Sequence, residues 1–470
     1  MTFNQEVVGP LPLTPSQENL WEFMRFFKPE NPGGSRIVNF LDLRCVRGRI
    51  DLSVFHHAVA DVARRQDALR VVFANIDNDP LMLIKHEVDP PVDFQDLSGV
   101  PEDEQRRWLQ NFVSRERFRT FDLQSGPLWN IYLIRLSEAC YMLAFSFFHI
   151  IFDGWSANIL VSEIFHAYQA RLGLCQELPE LAVGLQAVSE IQRQAMPESV
   201  ERAGYWRRHL TPLTPLAASV PFPVFNSPHS ADLLDDVRHE FTFSDEIHDR
   251  LRDVAWEAKT TPYVVLLAAY QILLSRRTGW DRVIIGTTTV GREFSTRNVI
   301  GQFTNDIYLA ARIKPSMILA DIIHSAHATI TAAINNISSF KQIARAVNSD
   351  FDRERPWPDL HLYHSWFQSA APLAPAVVYP DLAVEPVEFN IEPQPAERET
   401  TSDPRRIPAW IKYGAPRVIL NDDRRGGNLF YNRGFFDAEM IGGVIRDYES
   451  IVSSIATDQR QAVENVIVRG

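Results

Sequence analysis

Apolar and polar positions along the chain change period repeatedly, and each change predicts an element. From Ser16 to Phe27 the apolar or aromatic residues Leu20, Trp21, Met24 and Phe27 recur at helical spacing. The stretch 37–46 alternates and is rich in β-formers, predicting a strand. Asp51–Ala68 then places Val54, Phe55, Ala58, Val62 and Ala63 on one helical face, with Asp51 or Ser53 available as a cap. Leu69–Phe73 and Leu81–Ile84 predict strands, Glu102–Phe118 a charged amphipathic helix, and Trp129–Leu136 and Tyr141–Phe148 two adjacent strands. Trp155–Leu172 returns to helical spacing through Ile159, Leu160, Ile164, Phe165 and Tyr168 and stops at Gly173, whose backbone freedom suits a helix end.

Leu174–Ser230 is proline-rich, with helix-forming pieces at Val188–Gln194 and Ala203–Leu210, and reads as a connection. The second half repeats the style of the first: a strand over Val237–Phe243, helices over Asp245–Ala258 and Tyr263–Ser275, and a strand over Arg282–Gly286. Pro356–Pro404 is proline-rich and acidic and predicts loops and edge strands. Strands follow over 409–420 and Leu429–Tyr431, with a terminal helix over Phe436–Ile455. Alternating strands and helices define an α/β class in α+β layers. At 470 residues the chain exceeds what one core supports. Two subdomains are expected, 1–180 and a connection plus second subdomain at 181–470.

Composition narrows the partners. A chain 45% hydrophobic and 23% charged can bury a large core. Its net charge of −12 argues against nucleic acid or an anionic membrane as partner, because both are negative. Cys45, Cys140 and Cys175 lack CxxC spacing, so neither a disulfide framework nor a zinc site is indicated, and a reducing cytoplasmic setting is expected. The start of the chain has no basic-then-apolar pattern of a signal peptide, and no apolar run reaches the ~18 residues of a membrane span.

The most informative segment is Phe147–Ser156, FFHIIFDGWS, between a predicted strand and a predicted helix. His149 at the strand's end can accept a proton near neutral pH and so assist an attacking N–H or O–H. Asp153 and Gly154 turn the chain into the helix. A buried structural histidine is the bland alternative. A metal reading of HxxxD is set aside because the residues offer no third ligand, so no metal is expected. Spacing alone is weak: His56, His57 and Asp61 repeat the pattern inside a predicted helix, and His361 and His364 form another pair, and both sets read as packing.

His149-Ile-Ile-Phe-Asp153-Gly154-Trp155-Ser156 resembles the HHxxxDGWS signature of nonribosomal peptide synthetase condensation domains. Further segments agree in order: Ser16-Gln17 with Trp21, Arg64 to Phe73, Phe121-Asp122-Leu123 with Gly126-Pro127-Leu128, Tyr205-Trp206, Gly291-Arg292, and Ile300 to Asn305. The resemblance spans nearly the whole chain. It implies two chloramphenicol-acetyltransferase-like subdomains arranged as a V-shaped pseudo-dimer. It implies that His149 assists or positions the nucleophile, that Asp153 pairs with Arg292 to hold the loop, and that Trp155, Ser156 and Asn305 border a substrate channel. The implied activity is acyl transfer from a carrier-protein phosphopantetheine thioester, forming an amide or ester. No cofactor is bound directly; an acyl or peptidyl carrier protein acts in trans, and the acceptor is a small molecule or carrier-bound. Phe148 departs from the signature, standing where its first histidine belongs. Epimerising and heterocyclising relatives fit less well, since the former's EGHGRE pattern is absent and the latter carry aspartate at the histidine positions. A catalytically silent docking module that recruits a tailoring enzyme is the alternative from another class.

Overall fold

The computed structural model of the chain describes residues 7–27, 39–76, 79–117, 119–211, 236–348, 362–370, 377–379, 381–387, 416–432 and 436–468. They fall into two compact units. The first takes the described residues of Met1–Met196, Val290–Thr304 and Ala371–Glu399; the second takes those of Pro197–Thr289, Asn305–Ala370 and Thr400–Gly470. One cut in the chain does not reproduce this division, because two later segments return to the first unit.

In chain order the first unit contains β1 (Val7–Pro12), α1 (Pro15–Phe27), β2 (Asn39–Gly48), α2 (Leu52–Arg65), β3 (Val71–Ile76) and β4 (Asp79–Lys85). It continues with β5 (Val92–Asp96), α3 (Glu102–Arg117), β6 (Trp129–Ser137), β7 (Cys140–Phe148), α4 (Gly154–Arg171) and α5 (Leu185–Ala195). The second unit opens with α6 (Val200–Leu210), β8 (Asp236–Thr242), α7 (Asp245–Glu257), α8 (Pro262–Thr278) and β9 (Arg282–Thr289). After the excursion of 290–304, it resumes with β10 (Asn305–Arg312), α9 (Leu319–Asn335), α10 (Phe340–Val347) and β11 (Ser365–Ser369). The strands β12 (Val377–Tyr379) and β13 (Leu382–Pro386) belong to the first unit, and β14 (Arg417–Leu420), β15 (Gly426–Asn432) and α11 (Ala438–Thr457) to the second.

The first unit's main sheet runs β12-β13-β2-β7-β6-β5, beside a smaller sheet β1-β4-β3. β7 is central, paired with β2 and β6, and its sequence CYMLAFSFF is almost wholly apolar because both faces are covered. α2 is capped by Asp51, whose carboxylate accepts from Val54 N at 3.0 Å, and buries Phe55, Ala58, Val62 and Ala63 as its spacing predicts. The second unit's sheet runs β10-β9-β11-β14-β15-β8. Its core helix α8 is apolar on all sides and buried on all sides, with Pro262 in its first turn and Gly279 in the left-handed conformation (φ 73) at its end.

Several expected boundaries shift for local reasons. Leu69 and Arg70 lie in a short 3-10 turn, Asp67–Arg70, so the strand begins at Val71. Phe436 precedes the last helix, because Asp437 takes the cap position and accepts from Met440 N. Within 356–404, residues 356–361, 371–376, 380 and 388–404 lie outside the described residues, as do 37–38 and 409–415 of two expected strands and 212–230 of the expected connection. β11 is not an edge strand: it pairs in parallel with β9 on one side and β14 on the other.

Candidate active site

β7 delivers Phe148 and His149 to the end of the first unit's sheet. Phe148 is fully buried against Phe121, with ring centroids 5.7 Å apart, so an apolar residue fills the position of the missing histidine. His149 opens a single 3-10 turn, His149–Ile151, closed by Phe152 N donating to the His149 carbonyl at 3.1 Å. The imidazole is half-buried. Its Nδ1 lies 2.5 Å from the Phe152 carbonyl oxygen. A carbonyl only accepts, so Nδ1 carries the hydrogen and neutral His149 presents Nε2 as a lone pair. Among the described residues Nε2 has no hydrogen-bond partner, which leaves it open to a substrate proton.

Asp153 holds the next turn. As N-cap of α4 it accepts from Ser156 N at 2.9 Å, and its Oδ1 also accepts from Ser156 Oγ at 2.7 Å and Arg292 Nη2 at 2.7 Å. Its Oδ2 accepts from Phe303 N at 3.1 Å. The side chains of Asp153 and Arg292 are 1% and 3% exposed, so the pair is a buried strut and neither group faces solvent. Burial holds the Arg292 guanidinium below its usual range, and the Asp153 carboxylate pulls it back. Arg292 also donates to the Val299 carbonyl at 2.6 Å and lies over the Phe303 ring at 3.8 Å. Gly154 is the first residue of α4. The left-handed glycine of the site is Gly291 (φ 63), which aims Arg292, and no signal in the loop sequence itself pointed to it.

Ser156 is fully buried, its hydroxyl shared among Asp153, Arg292 and the backbone of Gly301. Trp155 keeps accessible surface and donates its indole N–H to the Arg297 carbonyl at 3.0 Å. Asn305 belongs to the second unit, buried at the start of β10, with its carbonyl accepting from Thr289 Oγ1 at 3.3 Å. Gln66, at the end of α2, clasps the same returning segment: it donates to the Asn298 carbonyl at 3.0 Å and accepts from Ile300 N at 2.9 Å. Gln17 donates to the Ile150 carbonyl at 3.1 Å. Residues scattered from 17 to 303 in sequence thus converge on one loop.

The decoy motifs do other work. His57 bonds its own helix through the Ser53 carbonyl, and Asp61 pairs with Arg64 and Arg171. His361 lies outside the described residues. His364 is buried with Nδ1 accepting from Ile284 N at 2.7 Å, and burial pushes its pKa down to about 4. Arg65 and Arg70 are bound to Glu163 and Asp67. Among the described residues no helix is long and apolar enough to cross a membrane.

The condensation domain family model matches residues 7–355, and the chain belongs to that family. It is 33% identical over 302 residues to phosphinothricin tripeptide synthetase PhsB of Streptomyces viridochromogenes, covering 63% of this chain and 24% of the relative. It is 30% identical over 283 residues to gramicidin S synthase 2 of Aneurinibacillus migulanus, covering 59% of this chain and 6% of the relative. The match therefore spans a quarter or less of these relatives' length. Among solved structures, the X-domain from teicoplanin biosynthesis superposes with a TM-score of 0.75 at 18% identity, covering 100% of this chain and 99% of that one. A variant of the starter condensation domain of rhizomide synthetase, in complex with C8-CoA, superposes with a TM-score of 0.74 at 17% identity, covering 97% of each chain. At these identities the likeness speaks to the fold alone, a mixed α/β architecture of two units.

Proposed function

We propose that the chain transfers an acyl or aminoacyl group from a carrier-protein phosphopantetheine thioester to an amine or hydroxyl acceptor, with His149 as the proton acceptor. The observation that carries this reading is the His149 ring itself, tied through Nδ1 to the Phe152 carbonyl while Nε2 has no partner among the described residues. In the step proposed, Nε2 takes the proton of the acceptor N–H or O–H as the nitrogen or oxygen lone pair attacks the thioester carbonyl carbon. The C–S bond then breaks, and the sulfur leaves with the proton returned by the imidazolium. The thioester is already activated, so alignment of donor and acceptor supplies much of the rate, with about 10²- to 10⁴-fold assigned to the base. Asp153, Gly154 and Arg292 hold the loop and take no part in proton transfer. Trp155, with accessible surface, is the residue of the loop assigned to the substrate path; Ser156 is assigned to the support.

A docking module that recruits a tailoring enzyme is the second reading. It is favoured by Phe148 in the signature and by the likeness to the X-domain, another structure of which is a complex with OxyB. Intact-mass detection of acyl loss from loaded carrier proteins, with amine and alcohol acceptors supplied, separates the two. Acyl transfer is expected, falling about 10²-fold or more in His149→Ala. Carrier binding without turnover in every combination would replace catalysis by recruitment.

A further inference from the structure

The segment that returns to the first unit carries more than the strut. Past Arg292 it forms a single 3-10 turn, Phe294–Thr296, followed by Arg297. Glu293 N donates to Thr296 Oγ1 at 3.0 Å, Thr296 N to the Glu293 carbonyl at 3.1 Å, and Val299 N to the Thr296 carbonyl at 3.1 Å. Thr296 is buried beneath the turn. These local bonds fix the backbone, and the side chains it presents are ordered before any partner arrives.

What the turn presents is Phe294, 79% exposed, with the Arg297 guanidinium laid over its ring at 3.9 Å from the centroid. Among the described residues Arg297 makes neither an ion pair nor a side-chain hydrogen bond, and Glu293, the acid of the same turn, is not paired with it. The Arg297 carbonyl accepts from the Trp155 indole N–H, which ties the turn to the loop that carries His149. One helical turn on from Trp155, Ile159 keeps accessible surface on the same face of α4. A lone exposed phenylalanine needs no account. An ordered aromatic bearing an unpaired guanidinium is different, because stacking holds the planar fork in place and leaves its N–H edge free for a bidentate acceptor such as phosphate. The chain's net charge of −12 sharpens the contrast: an anion is repelled by the surface at large and drawn to this spot.

We propose that Phe294 and Arg297 form a receiving subsite for the phosphopantetheine arm of the carrier protein, with the phosphate on the Arg297 guanidinium and the neighbouring gem-dimethyl carbons on the Phe294 ring. The choice of ligand rests on the acyl-transfer reading, which puts a carrier-borne thioester on this chain. Such an arm is joined to its carrier through a phosphodiester, so it brings an anion and an apolar group side by side whatever the carrier's own sequence. Trp155, bonded to the turn and part of the histidine loop, joins the subsite to the substrate path.

The test is calorimetric titration of the full chain with phosphopantetheine, pantetheine and inorganic phosphate, with no acyl group or acceptor present. The parent is expected to bind phosphopantetheine about 10- to 100-fold more tightly than pantetheine, and more tightly than inorganic phosphate. Arg297→Gln is expected to bring phosphopantetheine down to the pantetheine level while leaving pantetheine unchanged, and Phe294→Ala to weaken both. Both variants alter exposed side chains, so the fold is not put at risk. Absence of phosphopantetheine binding, equal affinity of the parent for the two pantetheines, or undiminished binding in Arg297→Gln would overturn the subsite. Equal affinity for inorganic phosphate would reduce it to a plain anion spot and overturn the assignment of the arm. Turnover plays no part in the titration, so acyl transfer can fail in its own assay while the subsite stands, and the subsite can fail while acyl transfer stands.

Discussion

Asp153 uses both oxygens, and two of its four contacts, from Arg292 Nη2 and Phe303 N, come from outside its own loop. Asp153→Asn keeps an acceptor oxygen but removes the charge, leaving the Arg292 guanidinium buried and unpaired. Breaking such a pair costs about 3–5 kcal/mol, so a lower urea midpoint and a poorer folded yield are expected together with lost activity. A variant as stable as the parent but inactive would move Asp153 from strut to chemistry. Asp306 behaves in the opposite sense. Its folded pKa is raised, so between about pH 4 and 7 the folded state holds a proton that the unfolded state has released, and stability falls as pH rises through that window. The groups facing it, Tyr308 and Tyr363, stay neutral there. Asp306→Asn is therefore expected to match the parent near pH 4 and to exceed it by on the order of 1–4 kcal/mol above pH 7, read as the difference in urea midpoints at the two ends. Equal midpoints at both ends would place the carboxyl in solvent. His149, Asp153 and Arg292 were visible in sequence through the signature and its companion motifs. Asp306 was not, since one acidic residue in NDIYLAAR carries no periodic or motif signal.

At the scale of elements, local chemistry sets most starts and stops. Asp51 caps α2, Ser244 caps α7 by accepting from Ile247 N, and Asp437 caps α11. Asp51→Ala is expected to lower stability by about 1 kcal/mol, measured by thermal or urea unfolding, with no change in acyl transfer; a loss of activity without a loss of stability would show that α2 does more than brace the loop through Gln66. Long periodic helices were legible through their repeat, and the central strands β6 and β7 through their apolar runs. β1, β5, β10, α9 and α10 were not read from the sequence. β5, VDFQD, lies at a sheet edge with four of its five residues exposed, so its hydrophobic signal is weak. β11 sits inside its sheet although its neighbours in sequence are proline-rich, because pairing with β9 and β14 is decided by residues distant in the chain, Ser365 facing Ile285 and Trp366 facing Arg417.

At the scale of the molecule, the main hydrophobic core of each unit draws on discontinuous chain. Val299, Ile300 and Phe303 complete the first core, and β13 extends its sheet beside β2. A fragment ending at Met196 lacks these pieces and Arg292, leaves Asp153 buried without its partner, and is expected to show far-UV helix signal but no near-UV aromatic signal. A cooperatively folded fragment would show that the returning segments are accessory. The sequence by itself determined the alternation of strands and helices, the caps, and the histidine turn with its candidate brace, because periodicity, capping and short motifs act over a few residues. Only the tertiary structure decided that Asp153 and Arg292, 139 residues apart, share one desolvated pocket, that Ser156 is spent inside it, and that burial raises the pKa of Asp306. Burial and pairing are properties of what surrounds a side chain, and for these residues the surroundings come from distant parts of the chain.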